Sequence, residues 1–349
     1  MPVNVRVLKA FHGDCIFITI DSGTVTERIL IDGGPEANFG VSPQGELRAL
    51  LNELEVEGKQ IDLVILTHVD EDHIGGLIKA FEVKDGLTKL ARKVIFNSGR
   101  LIHEYFKVEV DPSKEITGNF TQSVNTSIKQ GNTLDRLLKD LGVWQERVIK
   151  QGDKYALQGC ELICLTPNED ELKKLLVKWE KDQSSPFTSA SNTDWKKSYK
   201  ELLDQDSFKE DKSKSNGSSI SFILKVGEKN FLFLGDSHPT SITQGLARLG
   251  YNADTPINAE MVKLSHHGSK GNTSLELLSA ITCSSYIVST DATRHGLPNK
   301  VTFARIHSKN SNAVIFFNYK SVISSVYTRD EISKLGKNVM ALSGELTFA

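Results

Sequence analysis

The stretch "LTHVDEDHIGG", residues 66–76, places His68, Asp70, Asp72 and His73 at the end of the apolar run "IDLVIL". Imidazoles and carboxylates at such spacing are the donor set of a first-row metal ion. On an extended segment alternate side chains face the same way, so His68, Asp70 and Asp72 can converge, while His73 turns in with the helix that follows. The competing reading is a polar loop whose acids cap that helix and favour its dipole. Glu71 points away from its neighbours and is given no role.

Two further apolar runs end in the same residue types: "FLFLGD" at Asp236, and "MVKLSHHGS" at His266 and His267. One Asp after a strand is ordinary turn chemistry. Three such ends in one chain favour a shared site, because loops at strand C-termini held by a rigid sheet are where layered α/β proteins place ligands. His12, His103, His238 and His307 lie in no ligand-like setting and read as structural or surface residues. Cys15, Cys160, Cys164 and Cys283 form no CxxC pair, so they suggest neither a disulfide framework nor a thiolate metal site.

The elements that must position these residues are legible in outline. "VNVRVLKA", "DCIFITI" and "RILIDGG" read as short strands, and "GELRALLNELEVEGK" as a helix with Leu47, Leu50, Leu51 and Leu54 on one face. "IDLVILTH" has the continuous apolar character of a strand covered on both sides. Next come a strand at "VIFNS", a helix at "TSIKQGNTLDRLLKDLG" and a hairpin at "GDKYALQGCELICLTP" turning at Gln158 and Gly159. Residues 168–214 are rich in Lys, Asp, Glu and Ser and poor in branched apolar residues, which predicts a solvated helix plus a mobile polar excursion. Strands resume in "SISFILKVG", "KNFLFLGD", "EMVKLSHHGS", "SYIVST" and "AVIFFN". Two strand-rich halves flanking a polar insertion suggest two sheets packed face to face with helices outside, in one domain over residues 1–349.

At 349 residues the chain can bury a full core without staples. With 39 % hydrophobic and 25 % charged residues, and no apolar run near the length of a membrane span, it reads as a soluble protein with no membrane partner. The N-terminus alternates like a strand and lacks the pattern of a cleaved leader, which with the scattered cysteines places the chain in a cytoplasm. A net charge of −2 exerts no overall pull on nucleic acid, although a local basic groove is compatible with it.

In this order, "ILIDGG", "THVDEDHIGG", "FLFLGD" and "LSHHGS" resemble the metallo-β-lactamase fold. The form HxDxDH, in place of the commoner HxHxDH, is similar to the soluble hydrolase domain of the competence protein ComEC. "AFHGDCIFITI" resembles that group's opening GD strand, "GDKYALQGCELICLTP" its middle hairpin, and "NGSSISFIL" its Asn-containing strand. The likeness spans most of residues 3–320 outside the polar insertion. It implies a four-layer αββα sandwich with two metals at the edge where the strand-end loops meet. By motif position His68 and Asp70 would hold the first metal and Asp72 and His73 the second. Asp236 would bridge them, and a histidine of the 266/267 pair would complete the second site. The resemblance leaves open which of the two binds. It gives Asp32 a buttressing role behind the metal loop and puts Asn216 where many members carry another metal-binding histidine. "RHGLPN" resembles an RYGHP-type element, with Leu297 at its usual histidine position and a histidine at 295 instead.

Two divalent ions sharing a water suit hydrolysis of phosphodiesters, with Asp72 and Asp236 as the catalytic carboxylates. The hard oxygen of Asp70 favours Mn²⁺, with Zn²⁺ as the alternative. The ComEC likeness implies a nuclease acting on DNA, and soluble relatives of this type occur in prokaryotic defence systems. A nuclease should line its cleft with Lys263, Lys270, Arg294 and Lys300. The alternatives are a small ester, lactone or thioester hydrolase with a closed apolar pocket, or a metal-stabilised module that docks protein partners through residues 168–214.

Overall fold

The computed structural model describes residues 1–42, 44–107, 126–181 and 193–349. Strands β1 (Val3–Val7), β2 (Ile16–Asp21), β3 (Thr26–Ile31), β4 (Leu63–Ile65) and β5 (Val94–Ile95) come first. They are followed by β6 (Lys154–Leu157), β7 (Cys160–Thr166), β8 (Ser221–Val226), β9 (Lys229–Phe233) and β10 (Ile257–Ala259). The last are β11 (Met261–Lys263), β12 (Ile281–Cys283), β13 (Ser285–Val288), β14 (Val314–Phe317), β15 (Val339–Ala341) and β16 (Glu345–Phe348). A six-stranded sheet runs β16-β1-β2-β3-β4-β5 and an eight-stranded sheet β15-β14-β13-β11-β9-β8-β7-β6; β10 and β12 pair separately.

Period-two patterning explains why the sheets stack. Ile16, Ile18, Ile20, Ile29 and Ile31 of the first sheet share one core cluster with Phe222, Leu224, Phe231 and Phe233 of the second. The alternate residues face outward into helical layers. Leu30 and Val64 join Leu47, Leu50, Leu51 and Leu54 of the predicted helix, now Glu46–Val56. Ile223 and Leu232 join Ile242 and Leu246 of helix Pro239–Arg248 and Phe303 of helix Lys300–Lys309. The fold is therefore a four-layer αββα sandwich, as predicted. The four cysteines are all buried and free. Among the described residues no helix is long and apolar enough to cross a membrane.

Each sheet joins an antiparallel meander to a parallel half: β3, β4 and β5 in the first sheet, and β9, β11, β13, β14 and β15 in the second. The parallel strands β3, β4, β9, β11 and β13 end just before Asp32, the His68 loop, Asp236, His266 and Ser289. These ends meet at one edge of the sandwich.

The polar segment departs from expectation where it is described. Its helix Glu169–Lys181 packs Leu172, Leu175 and Leu176 against Ile102. Asp194 accepts the N–H groups of Lys300 and Val301 at 2.8 and 3.0 Å, and Leu202 packs on Val301 and Ala304. A few of its acids, Asp194 at a helix start and Asp206 against the buried Arg305, are spent on structural contacts that composition alone does not distinguish from solvation, while most of its described lysines stay exposed. Residues 182–192 of the predicted polar segment lie outside the described residues.

Helix Glu71–Glu82 is pinned to the loop after β3 by glycine contacts. Gly33 donates to His73 O at 2.8 Å and Gly76 to Gly34 O at 2.9 Å. A Cβ on Gly76 would sit 2.1 Å from Gly33 O. Gly→Ala in a free helix is stabilising. Here Gly76→Ala is expected to cost about 1–3 kcal/mol through overpacking, read as a lower urea midpoint with an unchanged slope. An unchanged or higher midpoint would show that the contact yields.

Candidate metal centre

Asp236, 2 % exposed, is the hub of the strand-end cluster. Its Oδ2 lies 3.8 Å from His68 Nε2, 3.5 Å from His73 Nε2, 3.8 Å from His266 Nε2 and 3.8 Å from His267 Nε2. Asp72 joins from the opposite side, its Oδ2 3.3 Å from His267 Nε2 and its Oδ1 3.9 Å from His73 Nε2. Asp70 Oδ2 is 3.6 Å from His68 Nε2 and accepts Ser215 Oγ–H at 2.9 Å. Most of these separations are too long for hydrogen bonds. Two donors on one ion at about 2.1 Å lie about 3–3.5 Å apart, so small contractions would close the cluster on cations.

The tautomers follow from the bonds on the far side of each ring. Asp32 Oδ2 accepts His73 Nδ1–H at 2.8 Å and the Thr67 hydroxyl at 2.7 Å. With its proton committed to Asp32, Thr67 Oγ1 accepts His68 Nδ1–H at 3.1 Å. His267 Nδ1 donates to Ser289 O at 2.9 Å. His266 Nδ1 donates to Asn272 Oδ1 at 3.1 Å, because the Asn272 amide nitrogen is turned to Asp211 and to the Asp236 carbonyl. All four rings therefore aim a basic Nε2 at one carboxylate. Three of these atoms, on His68, His73 and His267, are buried without a hydrogen-bond partner, as is Asp236 Oδ1. Orphaned, convergent donors of these types fit divalent cations better than any hydrogen-bonded arrangement.

The structure thus brings together His68, Asp70, Asp72, His73, Asp236, His266 and His267, with Asp32 behind them and Asn216 against His266 Nδ1 at 3.3 Å. The helix-cap reading of the loop fails at Asp70. It occupies the N-cap position of helix Glu71–Glu82 but makes no side-chain capping bond. Glu71 turns away from the hub, accepting the Glu36 N–H at 3.2 Å. His295 lies at the rim, where its pKa is lowered by burial against an opposing pull from Asp72. Donors of Asp14, Asp32 and His73 also cluster. There Asp14 is already paired with Lys263 at 2.6 Å, and Asp32 accepts three hydrogen bonds.

Sequence reasoning missed Asp14 and Asp211. Asp14 Oδ1 sits 3.4 Å from His267 Nδ1; its signal was the GD pair in "AFHGDC". Asp211 Oδ2 sits 3.5 Å from His266 Nδ1 and accepts the Asn216 amide at 2.6 Å. It lies in the polar segment, with no pattern to mark it. The expected basic lining is corrected at two positions. Lys263 and Lys300 are each 1 % exposed, the first held by Asp14 and the second by Glu331 at 2.6 Å. Buried ammonium groups need such partners. Lys270 and Arg294 are exposed.

Burial opposes charge throughout the cluster, yet opposite charges win. The Asp236 carboxyl is held well below its usual range by His73, His266 and His267, and Asp72 by His73 and His267. Against burial, Asp14, Asp236 and Asp72 push His267 up to about 10; Asp236 likewise raises His73 and His266. Without cations His73, His266 and His267 carry protons that a metal must displace.

Residues 8–108 match the family model of the Metallo-beta-lactamase superfamily, a span that includes Asp32 and the His68–His73 loop. No curated protein matches the chain. Among solved structures the chain is similar to Zn(2+)-bound PqqB from Methylobacterium extorquens, at 10 % identity over 100 % of both chains with a TM-score of 0.45. It is similar to a diphosphatase from the PhnP family, at 12 % identity over 100 % of this chain and 98 % of that one, TM-score 0.43. It is also similar to isothiocyanate hydrolase from Delia radicum gut bacteria, at 14 % identity with the same coverage, TM-score 0.42.

Because metal and protons compete for the same Nε2 atoms, and the pKa values of His73, His266 and His267 are all raised, apparent metal affinity should still be rising with pH at and above neutrality. Calorimetric titration of Zn²⁺ in two buffers of different ionisation enthalpy should show net proton release at pH 7. Release of no protons would mean that these imidazoles do not receive the metal.

Proposed function

We propose that the chain is a metal-dependent hydrolase of the metallo-β-lactamase fold that cleaves phosphate-ester bonds at a two-metal centre, with DNA phosphodiesters as its substrate class. The observation that carries the hydrolase reading is the convergence of four Nε2 atoms on Asp236 Oδ2 within 3.5–3.8 Å, three of them otherwise unpartnered. The HxDxDH form of the loop supports the phosphodiester reading through its likeness to the ComEC domain. Three carboxylates among the donors favour Mn²⁺, with Zn²⁺ as the alternative. When bound, such ions lower the pKa of a shared water and neutralise charge on the attacked phosphate.

The chain's own residues divide the remaining work. Asp236, between the imidazoles, would serve both halves of the site, and Asp72, which faces His267, would be the carboxylate to hold the attacking water and take its proton. Asp32 keeps the Nδ1 protons of His68, through Thr67, and of His73 pointing away from the site, so the imidazoles stay donors throughout. Lys270 and Arg294 are the exposed cations left from the predicted lining to meet substrate phosphates.

A second reading is hydrolysis of a small ester. It is favoured by a cleft of about 890 Å³ beside the metal loop, lined by Phe11, His12, Phe39, Glu71, Lys79 and Arg294. The cleft is open and partly charged, unlike the closed apolar pocket expected of such an enzyme.

Purified protein should be incubated with Mn²⁺, Zn²⁺ or chelator on single- and double-stranded DNA, RNA, a nitrophenyl phosphodiester and a nitrophenyl ester. Cleavage of the phosphodiesters with metal, abolished by chelator and lowered more than about 100-fold in Asp236→Ala, is expected; removal of an outer partner of a ligand costs up to that much. Cleavage of the carboxylic ester alone would move the assignment to the second reading. Failure on every substrate, or full activity in Asp236→Ala, would end the hydrolase reading.

A further inference from the structure

We infer that His266 and His267 serve different metals, and that Asp211, returned to the centre by the polar segment, is the positioning residue that commits His266 to the first. This rests on the metal-dependent reading above and goes beyond the motif, which places a single histidine of the pair on the second metal.

The two residues adopt consecutive left-handed conformations, φ 46° and 52°, which non-glycine residues rarely take. Their rings, 68° apart in plane, both keep Nε2 3.8 Å from Asp236 Oδ2. What differs is the company each keeps. His267 Nε2 lies 3.3 Å from Asp72, the carboxylate that also faces His73. His266 Nδ1 lies against Asn216, whose neighbour Ser215 donates to Asp70, the carboxylate beside His68. One short helix, Lys214–Gly217, thus holds both the Asp70 carboxylate and the far side of His266. Asp72, His73 and His267 form one group of donors lying within 4.8 Å of one another, and His68 also lies close to His73 and Asp236; the shared helix assigns Asp70, its neighbour His68, and His266 to the other side of Asp236. His266 thereby fills the place in that second set left open by Asn216.

Asp211 holds this arrangement. Its Oδ2 accepts the amides of Asn216 at 2.6 Å and Asn272 at 3.2 Å, which turns Asn272 Oδ1 toward His266 Nδ1. Its own N–H donates to Gly271 O. Upstream, Asp206 is gripped by the fully buried Arg305 at 2.6 and 2.7 Å, and the same guanidinium donates to Lys270 O and Thr273 O in the loop after the histidine pair. The polar segment and the histidine loop are therefore clamped to one side chain.

The test is Mn²⁺ and Zn²⁺ binding by the metal-stripped chain, read by calorimetry and by metal content after dialysis. Wild type should take two ions. Asp70→Ala/His266→Ala should lose one ion and keep the other at wild-type affinity, whereas Asp72→Ala/His266→Ala should lose both. Asp211→Ala should weaken the ion that His266→Ala weakens, by about 10–100-fold, and leave the other; Asp211→Asn, which keeps a carbonyl acceptor, should recover part of the loss. Thermal unfolding without metal should remain a single cooperative transition above the assay temperature for every variant compared, and His266→Gln replaces any alanine variant that is unstable. If His266→Ala and His267→Ala weaken the same ion, or Asp211→Ala changes neither affinity, the inference is overturned. A wild type that takes one ion overturns it too, while leaving metal-dependent hydrolysis standing; one that takes none overturns both.

Discussion

The sharing of Asp236 Oδ2 by four imidazoles is the constraint on which the rest of the structure depends. A buried carboxylate whose Oδ2 is ringed by Nε2 atoms at 3.5–3.8 Å, and whose Oδ1 has no hydrogen-bond partner, is poorly satisfied by the rings alone, and without cations its charge is balanced by protons on His73, His266 and His267. Such an arrangement survives only if each ring is held from behind. The backing groups therefore come from every element that reaches this edge: Asp32 after β3, Thr67 after β4, Ser289 after β13, and Asn272 beyond the histidine pair.

The backing network also explains local geometry that would otherwise be costly. Asp32 sits at φ 57°, a left-handed conformation, and its two oxygens accept Thr67 N–H, the Thr67 hydroxyl and His73 Nδ1–H. That single carboxylate sets the donor sense of two histidines, one directly and one through a hydroxyl. The glycines at 33 and 76 let helix Glu71–Glu82 press onto this loop, so the carboxylate and its imidazole stay within 2.8 Å. Strain at these positions is sustained because the surrounding bonds overdetermine it.

Much of this was legible in the sequence, and the reasons differ by layer. Period-two apolar runs such as "CIFITI" and "SISFILKVG" gave away the two inner faces, and the 3.6-residue spacing of Leu47, Leu50, Leu51 and Leu54 gave away an outer helix. The centre's own donors were readable because each closes an apolar run. Asp211 was not, since its role comes from a return of the chain over about forty polar residues, and tertiary placement of that kind leaves no period. Asp206 and Asp194 were hidden in the same way: in composition they are solvated acids, in the fold they meet Arg305 and the start of helix Lys300–Lys309. The strands β15 and β16 also escaped notice, because β16 is half exposed and takes its place only by pairing with β1.

The fate of Lys263 shows how burial redirects a residue's chemistry. At the end of a strand leading to the histidines, a lysine reads as a contact for substrate phosphate. In the fold it points inward to Asp14, whose other oxygen faces His267 Nδ1. Had Asp14 lacked this ammonium, a further buried carboxylate would have competed for protons and cations behind the hub. With it, Asp14 is neutralised and serves only to hold His267. Lysine thus protects the charge balance of the centre from behind, and of the four cations expected to line the cleft only Lys270 and Arg294 remain exposed. A basic residue count near a motif is a poor guide to substrate when the same residues are the cheapest way to bury the motif's own acids.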